Sequence, residues 1–216
     1  MSLSGPRRAA PEHAPRLRRA QAERSADTRA KVIEAAIRCL HRLGYASTTL
    51  MLVAQEAGMS RGAMTHQFPI KTDLMLAVVE AVFEQESADY RRTVERYRPR
   101  EWMRALPSIM WEVMSRPPAI AVTEIMLASR SDPTLADRLH AIQSEIDAVA
   151  HAWVIERLTD AGLHELPDGA AIHRLFIASI RGLALEAMFM RNRQGVETSV
   201  AKLGEILTFF YPALLD

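Results

Sequence analysis

The sequence predicts an all-α protein: an N-terminal three-helix unit built on a helix-turn-helix, followed by a larger helical body. Three observations predict it. Apolar residues recur at steps of three and four along nearly the whole chain, without the sustained alternation that strands need. The interruptions fall at prolines and glycines. Between Ser47 and Lys71, two short helical patterns, STTLMLVAQEAG and MSRGAMTHQF, adjoin across Gly58.

In chain order, residues 1–26 carry Pro6, Pro11 and Pro15 and the arginines Arg7, Arg8, Arg16, Arg18 and Arg19, with few large apolar side chains to bury. Such composition predicts a disordered arm. It suits either contact with a DNA groove or phosphates, as homeodomain arms make, or plain solubilisation. A helix follows from Asp27 to Leu43, capped by Asp27, with Val32, Ile33, Ala36, Ile37 and Leu40 on one side and Gly44 ending it. The next runs from Leu50 to Ala57, with Thr48 and Thr49 as N-cap candidates and Leu50, Val53, Ala54 and Ala57 on its apolar face. Gly58 can take φ > 0 and reverse the chain, and Met59 can fill the gap between the helices. Ser60 then caps a third helix reaching about Gln67.

That third helix carries Arg61, Thr65, His66 and Gln67 on a frame kept slim by Gly62 and Ala63. All four side chains donate hydrogen bonds, the chemistry that phosphates and base edges accept. It has the make-up of a recognition helix for double-stranded DNA. The charge distribution agrees. Residues 1–71 hold 12 Lys and Arg against 5 Asp and Glu, a surplus of +7, whereas the remainder carries −6 within a net charge of +1. A basic head on an acidic body is drawn to phosphate at one end only.

After Phe68 and Pro69, a long helix from Lys71 to about Tyr97 should bury Leu74, Val78, Ala81 and Val82. Breaks at Pro99, Pro117 and Pro118, Asp132 and Pro133, 162–168 and Gly195 then divide the body into helices of about 101–115, 118–130, 133–161, 168–192 and 196–214. Pro107 should kink the first of these or mark its true start. In the third, Leu135, Leu139, Ile142, Ile146, Val149 and Trp153 form a packing seam.

Composition narrows the class further. The 49% apolar content suits a globular chain with a real core. No apolar run approaches the roughly 18 to 20 residues that span a bilayer, and the start is arginine- and proline-rich rather than apolar, so no membrane role and a cytoplasmic location are expected. The lone Cys39 excludes an internal disulfide and sits in an apolar stretch, where a buried inert thiol is expected. The seven histidines match no H-E-x-x-H pattern, and G-x-S-x-G and phosphate-loop signatures are absent, which argues against an enzyme; no cofactor or metal is expected.

At the head the chain resembles the tetracycline-repressor (TetR) family of bacterial transcriptional regulators. The resemblance rests on Thr49, Leu50, Val53, Ala54, Ala57, Gly58, Met59, Ser60, Gly62, Phe68, Lys71 and Leu74, in register with the family's A-x-x-A-G-x-S-x-G core and F-x-x-K-x-x-L exit. Thr65 departs from the usual tyrosine and Gln67 from the usual histidine or tyrosine. Softer likeness continues in SRPPAIAVTEIMLASRSDPTLADRL, outside 129–131, and in IRGLALEAM.

The resemblance implies three regions: an arm (1–26), a DNA-binding head (27–73) and an effector-binding and dimerisation body (74–216). Arg61, Gly62, Ala63, Thr65, His66 and Gln67 would lie at or near DNA, with Thr48, Thr49, Ser60 and Lys71 on its backbone. In a homodimer, Ile180, Leu183, Ala184, Ala187 and Met188 would pair with Val200, Leu203, Leu207 and Phe210 in a four-helix bundle, with two heads reading a palindrome. An apolar small-molecule effector would meet Phe83, Trp102, Met103, Met110, Trp111, Met114 and Met126, the methionines adapting to its shape. Glu124 would pair with Arg130 or touch the ligand. Ligand binding would then shift the helix beginning near Lys71 and release the operator. The alternative is an activator, or a regulator without ligand control.

Overall fold

The computed structural model describes residues 13–160, 162, 169–189 and 194–210. Among them are nine helices and no strand, in agreement with the predicted class. The first, α1 (His13–Ser47), begins well before Asp27, so residues 13–26 are helical rather than a disordered arm. Local propensity accounts for this: from Arg16 to Arg24 the sequence is all Leu, Ala, Arg, Gln and Glu, strong helix formers, and Pro15 falls in the first turn where its missing N–H costs nothing. The rest of the expected arm, residues 1–12, lies outside the described residues.

Within α1, Gly44 adopts φ 73° and ψ 173°, a region essentially reserved for glycine, and this ends the regular helix where the sequence places its stop. Then come α2 (Leu50–Glu56), α3 (Arg61–Gln67) and α4 (Lys71–Val94), the last ending a turn short of Tyr97. The body adds α5 (Pro99–Met114), α6 (Pro117–Ser129), α7 (Pro133–Asp160), α8 (Gly169–Phe189) and α9 (Gln194–Phe210). Pro107 does not mark a start, because α5 runs through it with Pro99 in its own first turn.

Two apolar clusters hold the helices together. The first joins Val32, Ala36 and Leu40 of α1, Val53 of α2, Met64 of α3, Leu74, Val78 and Val82 of α4, Ala121 and Ile125 of α6, and Leu135 and Leu139 of α7. The boundary drawn at 73/74 thus falls inside α4, whose first turns share one core with the head. The second cluster gathers Val94, Trp102, Leu106, Ile109, Val154, Leu158, Phe176 and Leu207, from α4, α5, α7, α8 and α9. The α7 seam bridges them: Leu135, Leu139, Ile142 and Ile146 serve the first and Trp153 the second, while Val149, between the two, stays exposed.

Candidate functional site

Short-range rules build the head. Thr49 caps α2, its hydroxyl oxygen accepting from the Leu52 N–H at 3.2 Å, and Ser60 caps α3 by accepting from Ala63 N–H at 3.3 Å. Gly58, at φ 66°, reverses the chain between them. Its N–H donates to Gln55 O at 3.1 Å and that of Met59 to Ala54 O at 2.8 Å, a Schellman closure that satisfies the carbonyls α2 would otherwise orphan. Met59 packs against the first core as expected. Arg38 and Arg42 on α1 both donate to Glu56, at 2.8 and 3.1 Å, and tie α2 to α1. These bonds hold the Glu56 carboxyl below the usual carboxylate range.

Met64 is the one fully buried residue of α3, which fixes the rotation of the helix. Arg61, Gly62, Ala63, Thr65 and His66 are all exposed in consequence. The Thr65 hydroxyl donates to the Arg61 carbonyl at 3.0 Å, so it meets other groups as an acceptor.

Three expected DNA contacts are engaged elsewhere. Thr48 is fully buried and its hydroxyl donates to Gly44 O at 2.7 Å, which removes it from the DNA face. Gln67 is half-buried, its amide turned towards α1 and donating to Ser25 Oγ at 3.4 Å. Lys71 donates to Tyr45 O at 2.6 Å and lies 3.8 Å from the centroid of the Tyr45 ring; burial lowers its pKa. The lysine braces the turn after Gly44.

Glu124 is also reassigned. Its Oε2 accepts the Tyr45 N–H at 3.1 Å, in place of the expected pairing with Arg130. A Cβ at Gly44 would stand 3.2 Å from that oxygen and push it back slightly, a small addition to the strain that φ 73° already imposes on any other residue. Tyr45 is therefore gripped at its N–H by α6 and at its carbonyl by the first residue of α4. Beside the apolar core that head and body share, Tyr45 is thus a polar joint between them.

In the body the expected ligand residues separate. Trp102 and Met103 are buried in the second cluster and Met110 packs on it, whereas Met126 belongs to the first. Phe83, Trp111 and Met114 are half-buried outside both clusters. Around Trp102 the packing is aromatic. Trp153 lies 6.1 Å from Trp102 and 5.1 Å from Tyr90, whose ring meets it edge-on at 68°. Among the described residues, four buried polar atoms of this region have no hydrogen-bond partner: Glu86 Oε1, Tyr90 Oη, Trp102 Nε1 and Arg157 Nε. Each such group costs about 1–3 kcal/mol when left unmade. Burial pushes the Glu86 carboxyl up to about 7, with Arg116 and Arg181 opposing, and raises the Tyr90 phenol. Only Trp102 of this set is legible from composition. Glu86 and Tyr90 stand one turn apart on α4, and Trp153 and Arg157 one turn apart on α7, a pairing visible only once the two helices are side by side.

The dimer residues need a similar rotation. Ile180, Ala184, Val200 and Leu207 are buried within the chain, Leu183, Ala187 and Leu203 are half-buried, Met188 is exposed, and the side chain of Phe210 lies outside the described residues. The apolar surface left open is another stripe: Leu175 (65% exposed) and Phe189 (83%) on α8, Ile206 (46%) and Phe209 (79%) on α9. Ala178 and Gly182 continue the α8 stripe at steps of three and four. The amphipathic pattern marks one apolar face on each helix and leaves open whether the chain's own core or a second copy covers it.

No helix among the described residues is long and apolar enough to cross a membrane. Cys39 is buried, and burial raises its thiol pKa, which keeps it protonated and unreactive.

The family described as bacterial regulatory proteins, tetR family, matches residues 32–78, the segment from mid-α1 into α4. The transcriptional regulator CymR of Pseudomonas putida is 30% identical over 182 residues, covering 83% of this chain and 89% of CymR. Solved structures share the architecture at lower identity. A transcriptional regulator from Rhodococcus sp. Rha1 aligns with a TM-score of 0.68 at 18% identity, over 84% of this chain and 96% of its own. LfrR from Mycobacterium smegmatis, solved with proflavine, aligns at 0.59 and 22% identity, over 84% and 94%.

Proposed function

Because this chain belongs to the TetR family of helix-turn-helix transcriptional regulators, we propose that it is a repressor, released from a palindromic operator when a small, largely apolar molecule enters its helical body. The observation that carries the reading is the outward face of α3. Met64 pins the helix by its inner side, and Arg61, Thr65 and His66 project from a surface thinned by Gly62 and Ala63. Arg61 is the residue to read a guanine through its bidentate fork. Thr49 and Ser60, whose oxygens already accept from the helix, retain hydroxyl protons for phosphate. Gln67, Thr48 and Lys71 hold the reading pair in shape.

Two copies pair through the exposed α8 and α9 stripe, where four large apolar side chains otherwise face water. The effector reading draws on the orphaned polar atoms of the body core and on the ligand bound by the structural relative LfrR. Ligand entry beside α4 and α5 reaches the head through the two bonds on Tyr45, since α4 and α6 each hold one. The coupling is reciprocal: operator DNA weakens ligand binding by the factor by which ligand weakens operator binding.

Selection of bound duplexes from a random DNA pool tests the reading, with Arg61→Ala run beside the parent protein. A palindrome recovered by the parent and relaxed at one base pair per half-site by the variant is expected, with a loss of about 1–3 kcal/mol. Equal affinity and sequence preference in the variant would remove Arg61 from its role.

A further inference from the structure

The outward face of α3 is rich in hydrogen-bonding groups and poor in apolar ones. Arg61, Thr65 and His66 are polar, Gly62 has no side chain, and only the small Ala63 is apolar among its exposed residues. Beside Gly62 the space is open, since a Cβ there would meet nothing within 4 Å. A large apolar side chain for this surface comes from α2 instead. Met51 is 53% exposed, although α2 has a buried face of its own at Val53 and Ala54.

The helical repeat places Met51. Leu50, Val53, Ala54 and Ala57 form the inner face of α2, and at 3.6 residues per turn Glu56 and Met51 stand roughly 110° to either side of it. The Glu56 flank is covered by α1, through the bonds from Arg38 and Arg42. The Met51 flank, continued one turn later by the exposed Gln55, is the one those bonds leave open. Leu52, 38% exposed, lies towards the Glu56 side. Met51 also follows by two residues Thr49, whose hydroxyl is assigned to a phosphate above, and this puts it at the edge of the groove that α3 enters.

We propose that Met51 is a specificity-determining residue, which reads a thymine in each half-site by covering its C5 methyl group. The inference rests on the DNA-reading assignment of the head and adds to it a base contact from α2. The C5 methyl is the apolar feature that sets thymine apart among major-groove base edges, and a hydrogen-bond donor on α3 does not recognise it. Methionine suits the task, because its unbranched thioether chain is long and adapts to the surface it meets. A cytosine in the same place offers only a hydrogen at C5, and the apolar contact is lost.

Deoxyuridine scanning of the selected operator tests the role, because uracil pairs as thymine does and lacks only the methyl. Each thymine is replaced in turn, in both half-sites together, and operator affinity is measured by fluorescence anisotropy for the parent, Met51→Ala and Leu52→Ala. At one thymine position per half-site the parent is expected to weaken about fourfold per methyl removed, the equivalent of one buried methyl group. Met51→Ala should bind the thymine operator more weakly and be indifferent to uracil at that position, whereas Leu52→Ala should respond as the parent does. Thermal melting shows that each variant is folded. A parent indifferent to every uracil, a uracil effect that persists in full in Met51→Ala, or one that Leu52→Ala loses equally overturns the role of Met51 and leaves the DNA reading intact. A parent protein that selects no sequence from the pool overturns the DNA reading itself, and this inference with it.

Discussion

The head and the body solve the problem of buried polar groups in opposite ways. Around α2 and α3 the head closes its turns locally: Thr49 and Ser60 cap their helices, the Gly58 and Met59 amides return to α2, and Thr48, though buried, spends its hydroxyl on Gly44. In the body, four buried polar atoms of α4, α5 and α7 close on nothing within the described residues. Their outer faces differ as well, polar and arginine-bearing on α3, apolar on α8 and α9. A frame that holds a polar surface in one shape is complete in itself, whereas the body keeps polar groups and apolar side chains that nothing in the described residues completes.

The outer faces give the largest expected effect. Phe189 is 83% exposed, and in a two-fold pair a change there acts twice. Phe189→Asp should weaken dimerisation by roughly 3–6 kcal/mol, on the order of a hundredfold or more in the dissociation constant. Sedimentation across a concentration series measures it. An unchanged dimer would show that this stripe is not the partner surface.

The inner contrast gives the next. Glu86 rises from 4.5 to about 7 because burial disfavours its charge, with Asp89 adding to the rise and Arg116 and Arg181 resisting it. A carboxyl raised on folding binds more proton in the folded than in the unfolded state between those two values. Stability therefore falls as pH rises from about 4.5 through 7, by roughly 3 kcal/mol at 1.36 kcal/mol per pK unit, and levels off above. Glu86→Gln should flatten that slope in chemical-denaturation midpoints taken from pH 5 to pH 8. A slope that persists in the variant would place the titrating group elsewhere.

The same contrast explains what was legible in the sequence. Gly58, Ser60 and Thr49 act over three or four residues, so their types and spacing state their roles outright. The helix stop at Gly44 is equally plain, but not the carboxylate beside it, because Glu124 reaches the adjoining Tyr45 from 79 residues away. Thr48 and Lys71 depend on tertiary geometry as well: polar type suggests DNA for both, and only the fold shows them turned on Gly44 and Tyr45. On α8 and α9 the pattern marks one apolar face each, and only the fold shows Ile180 and Leu207 of those faces buried within the chain and Leu175, Phe189, Ile206 and Phe209 exposed. The start of α1 was missed for another reason, since arginine-rich composition masked good helix propensity.

Where head meets body, a change of intermediate size is expected. Glu124→Ala leaves the part-buried Tyr45 N–H without its acceptor and should cost about 1–3 kcal/mol of stability. Glu124→Gln, which keeps an oxygen there, should recover most of it. If the joint transmits ligand binding, the alanine variant should also reduce the factor by which a bound ligand weakens operator binding, measured as the ratio of operator affinities with and without ligand. An alanine variant that loses stability but transmits in full would make Glu124 a structural tie only.

The smallest effects belong to the head. Thr49→Ala and Ser60→Ala each remove one cap and should each cost about 1 kcal/mol in chemical denaturation. Their sum matters more than either value. If the head is an assembly of local devices, the double variant should lose the two costs added to within about 0.5 kcal/mol, because each hydroxyl serves only the first turn of its own helix. A larger departure from additivity would mean that α2 and α3 rise and fall as one unit through Gly58 and Met59. The head would then share the cooperative, long-range character assigned above to the body, and the contrast between them would narrow to their outer faces.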